Sequence, residues 1–222
     1  MRGYGEQLRS WEVVRLRSVN GADGPVEVVT ARTHTDDPEL AREVLGQIYA
    51  RYRPKISGIG ERFRFSLTSS AAGRVAVDSA VHSMEIDAVC EPLHQVTAAW
   101  LVGGSVEIRR GCEELRFGPG DVVLFPYASE WHIRLRGVDQ VLLRLDLGDI
   151  ARVAAQHTDT DAAGFRLLDM RPVSPAMGQY WRSVTTFAHR ELTAGPALIH
   201  PLVFPRSSPC SPRPRSRCSP TP

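Results

Sequence analysis

Residues Gln95 to Leu147 read QVTAAWLVGGSVEIRRGCEELRFGPGDVVLFPYASEWHIRLRGVDQVLLRLDL. Short apolar segments are cut by glycine-bearing turns, which is the pattern of successive strands rather than of helices. It predicts strands at 95–102, 105–109, 113–117, 122–125, 132–136 and 141–147. Turns are expected at Gly103-Gly104, Arg110-Gly111, Gly118-Pro119-Gly120, Ala128-Ser129-Glu130 and Gly137-Val138-Asp139. Six short strands at hairpin spacing imply a closed or nearly closed antiparallel β-barrel, which leaves few exposed strand edges.

Upstream, Phe63, Phe65 and Leu67 alternate with Arg62, Arg64 and Ser66, and Val75, Val77 and Ala80-Val81 continue the pattern after a turn at Ala72-Gly73. These residues predict two more antiparallel strands with one buried face. Met84 to Leu93 is less regular, with Pro92 as a breaker. Asp36-Asp37-Pro38, with Glu39 three residues after Asp36, starts a helix. Leu40, Val44, Leu45, Ile48 and Tyr49 then recur at helical spacing, and Pro54 is expected to end it. Residues 1–32 hold a turn cluster at 20–25 between β-prone pieces at Trp11–Val14 and Val26–Thr30. They read as an N-terminal arm, as a first strand pair or as a poorly ordered segment, and the sequence does not decide between these.

Downstream, Leu147 to Ala155 reads as a short helix, and 156–174 as a polar connector carrying Phe165-Arg166-Leu167-Leu168. A longer helix is expected from Ser174 to Thr193, with Met177, Trp181, Val184, Phe187, Ala188 and Leu192 on its apolar face and Gly195-Pro196 as its stop. Met177, Trp181, Val184 and Phe187 are the candidate dimerisation residues; covering the barrel is the competing role for the same face. From Pro205 onward, 18 residues comprise six prolines, five serines, four arginines, two cysteines and one threonine. Such a segment has too little apolar surface to offset its ordering entropy and is expected to be disordered.

Those four tail arginines leave 23 basic against 25 acidic residues elsewhere, a body charge of −2 within an overall +2. The body has no nucleic-acid footprint, and specific nucleic-acid binding by this chain is not expected. Cys90, Cys112, Cys210 and Cys218 form no C-x-x-C pair and read as free thiols. The first residues lack an apolar signal region, and no run approaches the length of a membrane span, so the expected location is the cytoplasm, away from membranes.

Three chemistries compete for the barrel. A cupin-type metal enzyme needs two histidines and a carboxylate on one strand pair and a third histidine later, leaving open coordination positions. Gly120, Pro126 and His132 resemble part of that pattern, but no His-x-His pair exists, and His82, Glu85, His94 and His132 are wrongly spaced. A one-residue slip turns a strand side chain to the opposite face. No metal or other cofactor is expected. Nor does any nucleophile–base spacing or phosphate loop stand out: Cys90 and Cys112 read as packing residues, and no catalytic residue is expected. The third chemistry is sensing, since a barrel of this size has room for one small ligand. Trp100, Tyr127, Trp131, His132 and Arg134 are the candidate ligand-binding residues.

The order of TDDPELAREVLGQIYARYRP, ERFRFSLTSSAAGRVAV, GPGDVVLFPYASEWHIRLRG, QVLLRLDLGDIARV and ALIHPLV, over roughly residues 30–203, resembles the N-terminal regulatory domain of AraC-family transcription regulators. The resemblance implies a mainly β chain with flanking helices: a cupin-like antiparallel β-barrel of jelly-roll type followed by C-terminal helices, at 33–196. It implies a small-molecule effector in the barrel and a dimer through the following helices, as a homodimer or with a full-length relative. Such regulators continue into a DNA-binding domain of two helix-turn-helix units. Here the Pro/Ser/Arg-rich segment follows instead, so residues 197–222 are expected to be a truncated or frameshifted end. A degenerate cupin enzyme and a stand-alone small-molecule-binding protein remain the alternatives.

Overall fold

A computed structural model describes residues 11–17, 27–49, 52–57, 63–93, 95–157 and 162–193. The expectations for the 20–25 turn cluster, for Gly195-Pro196 and for the segment from Pro205 lie outside the described residues. Chain order is β1 (Trp11–Arg17), β2 (Glu27–Thr35), α1 (Pro38–Ile48), β3 (Tyr52–Ser57), β4 (Phe65–Ala72), β5 (Val75–His82) and β6 (Glu85–Cys90), then β7 (Gln95–Arg110), β8 (Glu113–Phe117), β9 (Val122–Leu124), β10 (Trp131–Asp146), α2 (Leu147–His157) and α3 (Pro175–Thr193). All strand pairings are antiparallel. The fold is the mainly β, cupin-type architecture with flanking helices that the sequence implies.

Two long strands organise it. β10 pairs with β7 along one edge, and on its other edge with β6 over Trp131–Arg136 and with β5 over Asp139–Leu145. β7 in turn pairs with β9 near its start and β8 near its end. The long strands therefore run through two layers. One layer contains β1, β2, β4, β5, the second half of β10, the first half of β7 and β9. The other contains β3, β6, the remaining halves of β10 and β7, and β8. Phe65, Leu67, Ala80, Ile86, Ala99, Leu101, Ile108, Val123 and Ile133 fill the shared core.

The corner between the layers corrects the sequence reading. Gly103-Gly104 and Gly137-Val138-Asp139 are bulges inside continuous strands, not hairpin turns, so six expected strands are four. Pairing register shifts between Arg136 and Gln140. Gly104 has φ 78°, and a Cβ there would lie 2.3 Å from the Gly137 carbonyl oxygen. Only glycine tolerates that approach, which is why the corner carries the same residues as a turn.

Other differences have equally local causes. The irregular Met84–Leu93 stretch contains β6, whose Ile86, Ala88 and Cys90 alternate inward. Pro54 does not end α1; it lies in β3, an edge strand paired only with β6, where a missing N–H is tolerated. Cys112 is exposed beside the β7–β8 turn rather than packed, whereas Cys90 is buried. β1 and β2 form the first strand pair left open by the sequence.

α1 starts as expected. The Asp37 carboxylate accepts from the Glu39 N–H at 2.9 Å, and Pro38 occupies the first turn. Ala41, Val44 and Leu45 then bury against the core. α3 crosses the outer face of the first layer, where Ala188 and Leu192 join Val28, Ala72, Val77 and Leu143 in a second apolar cluster.

Candidate functional site in the barrel interior

Between α1 and the two layers lies a cavity of about 80 Å³. Leu45 and Tyr49 close it from α1, and Ala80, His82, Ile86 and Cys90 line it from β5 and β6. Thr97 comes from β7, with Leu93 and Phe125 nearby, and β10 supplies Trp131, Ile133, Leu135, Gln140 and Leu142. No lysine, arginine, aspartate or glutamate is among these residues. The Phe125 and Trp131 rings stack at 5.6 Å between centroids.

The polar groups in this wall are incompletely paired. Thr97 Oγ1, Trp131 Nε1 and Gln140 Oε1 have no hydrogen-bond partner among the described residues. Their residues are 1%, 6% and 6% exposed, so bulk water does not serve them either. A buried polar atom left unpaired costs about 1–3 kcal/mol. Among the described residues, two further such atoms, Trp181 Nε1 and Thr185 Oγ1, belong to α3 and do not line the cavity.

His82 adds an acceptor. Its Nδ1–H donates to the Met84 carbonyl at 3.2 Å, which leaves the Nε2 lone pair in the neutral ring. Burial lowers its pKa to about 4, against the raising effect of that hydrogen bond. Burial likewise pushes the Cys90 thiol up to about 12. Both groups are therefore neutral at pH 7.

Further along the inward face of β10 the polar accounting closes. Arg144 Nε and Nη2 donate to the two Asp78 carboxylate oxygens at 2.7 and 2.9 Å, and Nη2 also donates to Ser69 Oγ at 3.0 Å. Tyr49 donates its hydroxyl proton to Asp78 at 2.8 Å and lies under the Arg144 guanidinium at 5.8 Å. Tyr49 thus borders both the cavity and the ion pair.

Of the five ligand-binding candidates, only Trp131 lines this cavity. His132 and Arg134 sit on opposite faces of β10 from Trp131 and Ile133, where they bond Asp87. His132 Nε2 lies 2.6 Å from Asp87 Oδ1, and Arg134 donates twice to Asp87 Oδ2 at 3.0 and 2.8 Å. The hydrogen bonds from Arg134, then His132, hold the Asp87 carboxyl below the usual range. Trp100 stands in an open groove with Gln179, Arg182 and Phe187 of α3. Tyr127 accepts the Leu167 N–H at 2.9 Å and anchors the connector. Sequence reading passed over Thr97 and Gln140 and weighed His82 only as a metal ligand; the signal of all three is a polar residue in phase with inward apolar neighbours.

The dimerisation candidates also divide. Trp181 and Val184 pack on the barrel. Met177 and Phe187 are 47% and 45% exposed, beside Tyr180 at 63%. Among the described residues no three of His, Cys, Asp and Glu converge as metal ligands. His82 faces inward, His132 and Glu85 do not, and His94 lies outside the described residues.

Comparison with known proteins agrees with this geometry. The AraC-binding-like domain family matches residues 41–205, about three-quarters of the chain. The chain belongs to that family. Among solved structures, the AraC-like transcriptional activator CuxR superposes on this AraC-binding-like domain with a TM-score of 0.57 at 12% identity, over 72% of this chain and 61% of that one. That likeness shows the fold, and the chain spans about three-fifths of CuxR's length. The Streptomyces nucleoside dehydratase Pac13 (15% identity, 36% of this chain, 68% of that one) and an RmlC-like cupin from Shewanella frigidimarina (13%, 41% and 81%) reach TM-scores of only 0.29 and 0.28. At those values they carry no argument. A comparison with curated proteins finds no match. No helix among the described residues is long and apolar enough to cross a membrane.

Proposed function

We propose that this AraC-binding-like domain is the effector-sensing part of a cytoplasmic transcription regulator, with the effector held in the barrel cavity and no catalysis there. The observation that carries the reading is a cavity of about 80 Å³ inside the barrel, closed by α1 and lined mainly by apolar side chains with no lysine, arginine, aspartate or glutamate. A ligand that fills the cavity removes its own apolar surface from water. A non-catalytic role is supported by the state of the two reactive side chains in the wall. Cys90 is held as an un-ionised thiol, and His82 is too weak a base to take a proton efficiently at pH 7.

A thermal-shift screen of small metabolites against the wild type and Ala80→Val tests this. Ala80 lines the cavity and is fully buried, so the added methyl groups reduce its volume. At least one compound should raise the wild-type Tm and lose that effect in the variant. Compounds that stabilise both proteins equally would place binding elsewhere and sink the reading.

Dimerisation is the second half of the proposal. Met177, Tyr180 and Phe187 leave an apolar edge on α3 while its other apolar residues cover the barrel. Analytical ultracentrifugation should show a dimer that Met177→Glu with Phe187→Glu dissociates. A monomer at all concentrations would remove this half alone.

A further inference from the structure

We propose that the inner cavity is entered from the end of the barrel beneath the last turn of α1, with Tyr49 as the gate. This deepens the reading of the cavity as the effector site by naming its entrance.

A second, open pocket of about 600 Å³ lies at that end, with Ala71, Gly73, Arg74, Gln95 and Arg144 in its wall. Tyr49 is the one residue that lines both this pocket and the inner cavity. The strands run from one space into the other. Along β5, Ala76 lines the outer pocket and Ala80 the inner cavity; along β10, Arg144 lines the pocket and Leu142 the cavity. Asp78 stands between Ala76 and Ala80 on the same face of β5 and has no exposed surface. There its carboxylate accepts the Tyr49 hydroxyl at 2.8 Å and two Arg144 donors at 2.7 and 2.9 Å. The tyrosine and the ion pair together form the plug between pocket and cavity.

Of the three members of the plug, Tyr49 is the one free to swing. Asp78 and Arg144 stand on β5 and β10, each paired with strands on both sides, and separating them would leave a buried charge unpaired. When Tyr49 turns out it gives up its hydrogen bond to Asp78 and its place under the guanidinium. Arg144 keeps Asp78 and Ser69. Tyr49 is half-buried at the C-cap of α1, past the buried Ala41, Val44 and Leu45 that hold the helix on the core. Gly46 weakens that last turn, since glycine is a poor helix former, and a Cβ there would meet nothing within 4 Å.

Cys90 reports the opening without any ligand. It is buried in the wall of the inner cavity, whereas Cys112 is exposed and serves as the reference. The rate at which iodoacetamide alkylates each thiol of the full chain can be read by peptide mass spectrometry. Tyr49→Phe keeps the ring and removes the hydroxyl, and should speed alkylation of Cys90 about tenfold, the effect expected of losing a hydrogen bond to a charged group. Gly46→Ala should slow it about threefold by strengthening the last turn. Cys112 should react alike in every variant. The Cys90 rate should stay flat in dilute urea, because a local opening exposes little surface, whereas global unfolding rises steeply with urea. Leu192→Ala, which loosens the second apolar cluster under α3, should leave the Cys90 rate unchanged.

A Cys90 rate that ignores both Tyr49→Phe and Gly46→Ala overturns the gate and puts the entrance elsewhere. Rates that rise together in Tyr49→Phe and Leu192→Ala, and steeply with urea, overturn it by making global unfolding the route to Cys90. Neither result touches effector binding, which the metabolite screen against Ala80→Val reads independently.

Discussion

The inward face of β10 presents buried polar groups that differ in whether their partners are supplied. At Arg144 every partner is supplied: two carboxylate oxygens of Asp78, the Ser69 hydroxyl and the Tyr49 ring. At Gln140 and Trp131 the partners are missing. All of these side chains face the interior from one strand. The difference shows that burial of a polar side chain does not by itself mark a site. A closed set of partners holds the barrel together, and an open set leaves a cost in the folded protein.

The largest test of that contrast is Arg144→Leu. It strands the Asp78 carboxylate, which has no exposed surface, and should cost about 3–5 kcal/mol in urea unfolding. A cost near zero would mean that the pair is not the structural counterpart of the cavity. Next comes His82, whose folded pKa of about 4 lies below its ordinary 6.5. The unfolded chain binds the extra proton first, so stability is complete above pH 6.5 and falls as pH drops toward 4. The total loss is about 3 kcal/mol, and His82→Gln should flatten that window in a pH series of unfolding curves.

Opening the contrast from the other side, Gln140→Leu and Thr97→Val should each raise stability by about 1 kcal/mol, because each removes an unpaired buried group. Destabilisation by either would show that those atoms have partners after all. The smallest effect is expected at Arg134→Ala on the outer face. Its ion pair with the half-exposed Asp87 is screened by water, and the unfolding midpoint should hardly move.

Much of the fold was legible because its signals are local. Asp37-Pro38 and the spacing of Val44 and Leu45 mark α1, and Phe63, Phe65 and Leu67 mark an inward strand face. The corner was not legible, because glycine permits a tight turn and a close strand approach alike; Gly104 and Gly137 differ from turn glycines only in what lies across from them. That same bulge hid the site. Inward residues of β10 are Trp131, Ile133 and Leu135 before it and Val138, Gln140 and Leu142 after it, a shift of phase by one residue. Reading a turn at Gly137-Val138-Asp139 with strands at 132–136 and 141–147 leaves Gln140 outside both. Choosing Trp131 and His132 together could not succeed in any register, since adjacent strand residues face opposite ways.

The central claim, that the barrel cavity binds the effector, is tested most directly at the Trp131 indole. The chain has four tryptophans, so a ¹H–¹⁵N spectrum contains four indole N–H signals, and Trp131→Phe assigns the one of interest. With a compound that raises Tm, the Trp131 signal should move because its side chain lines the cavity, with smaller changes at Trp100 and Trp181. A compound that stabilises the protein while leaving the Trp131 signal in place would contradict the claim.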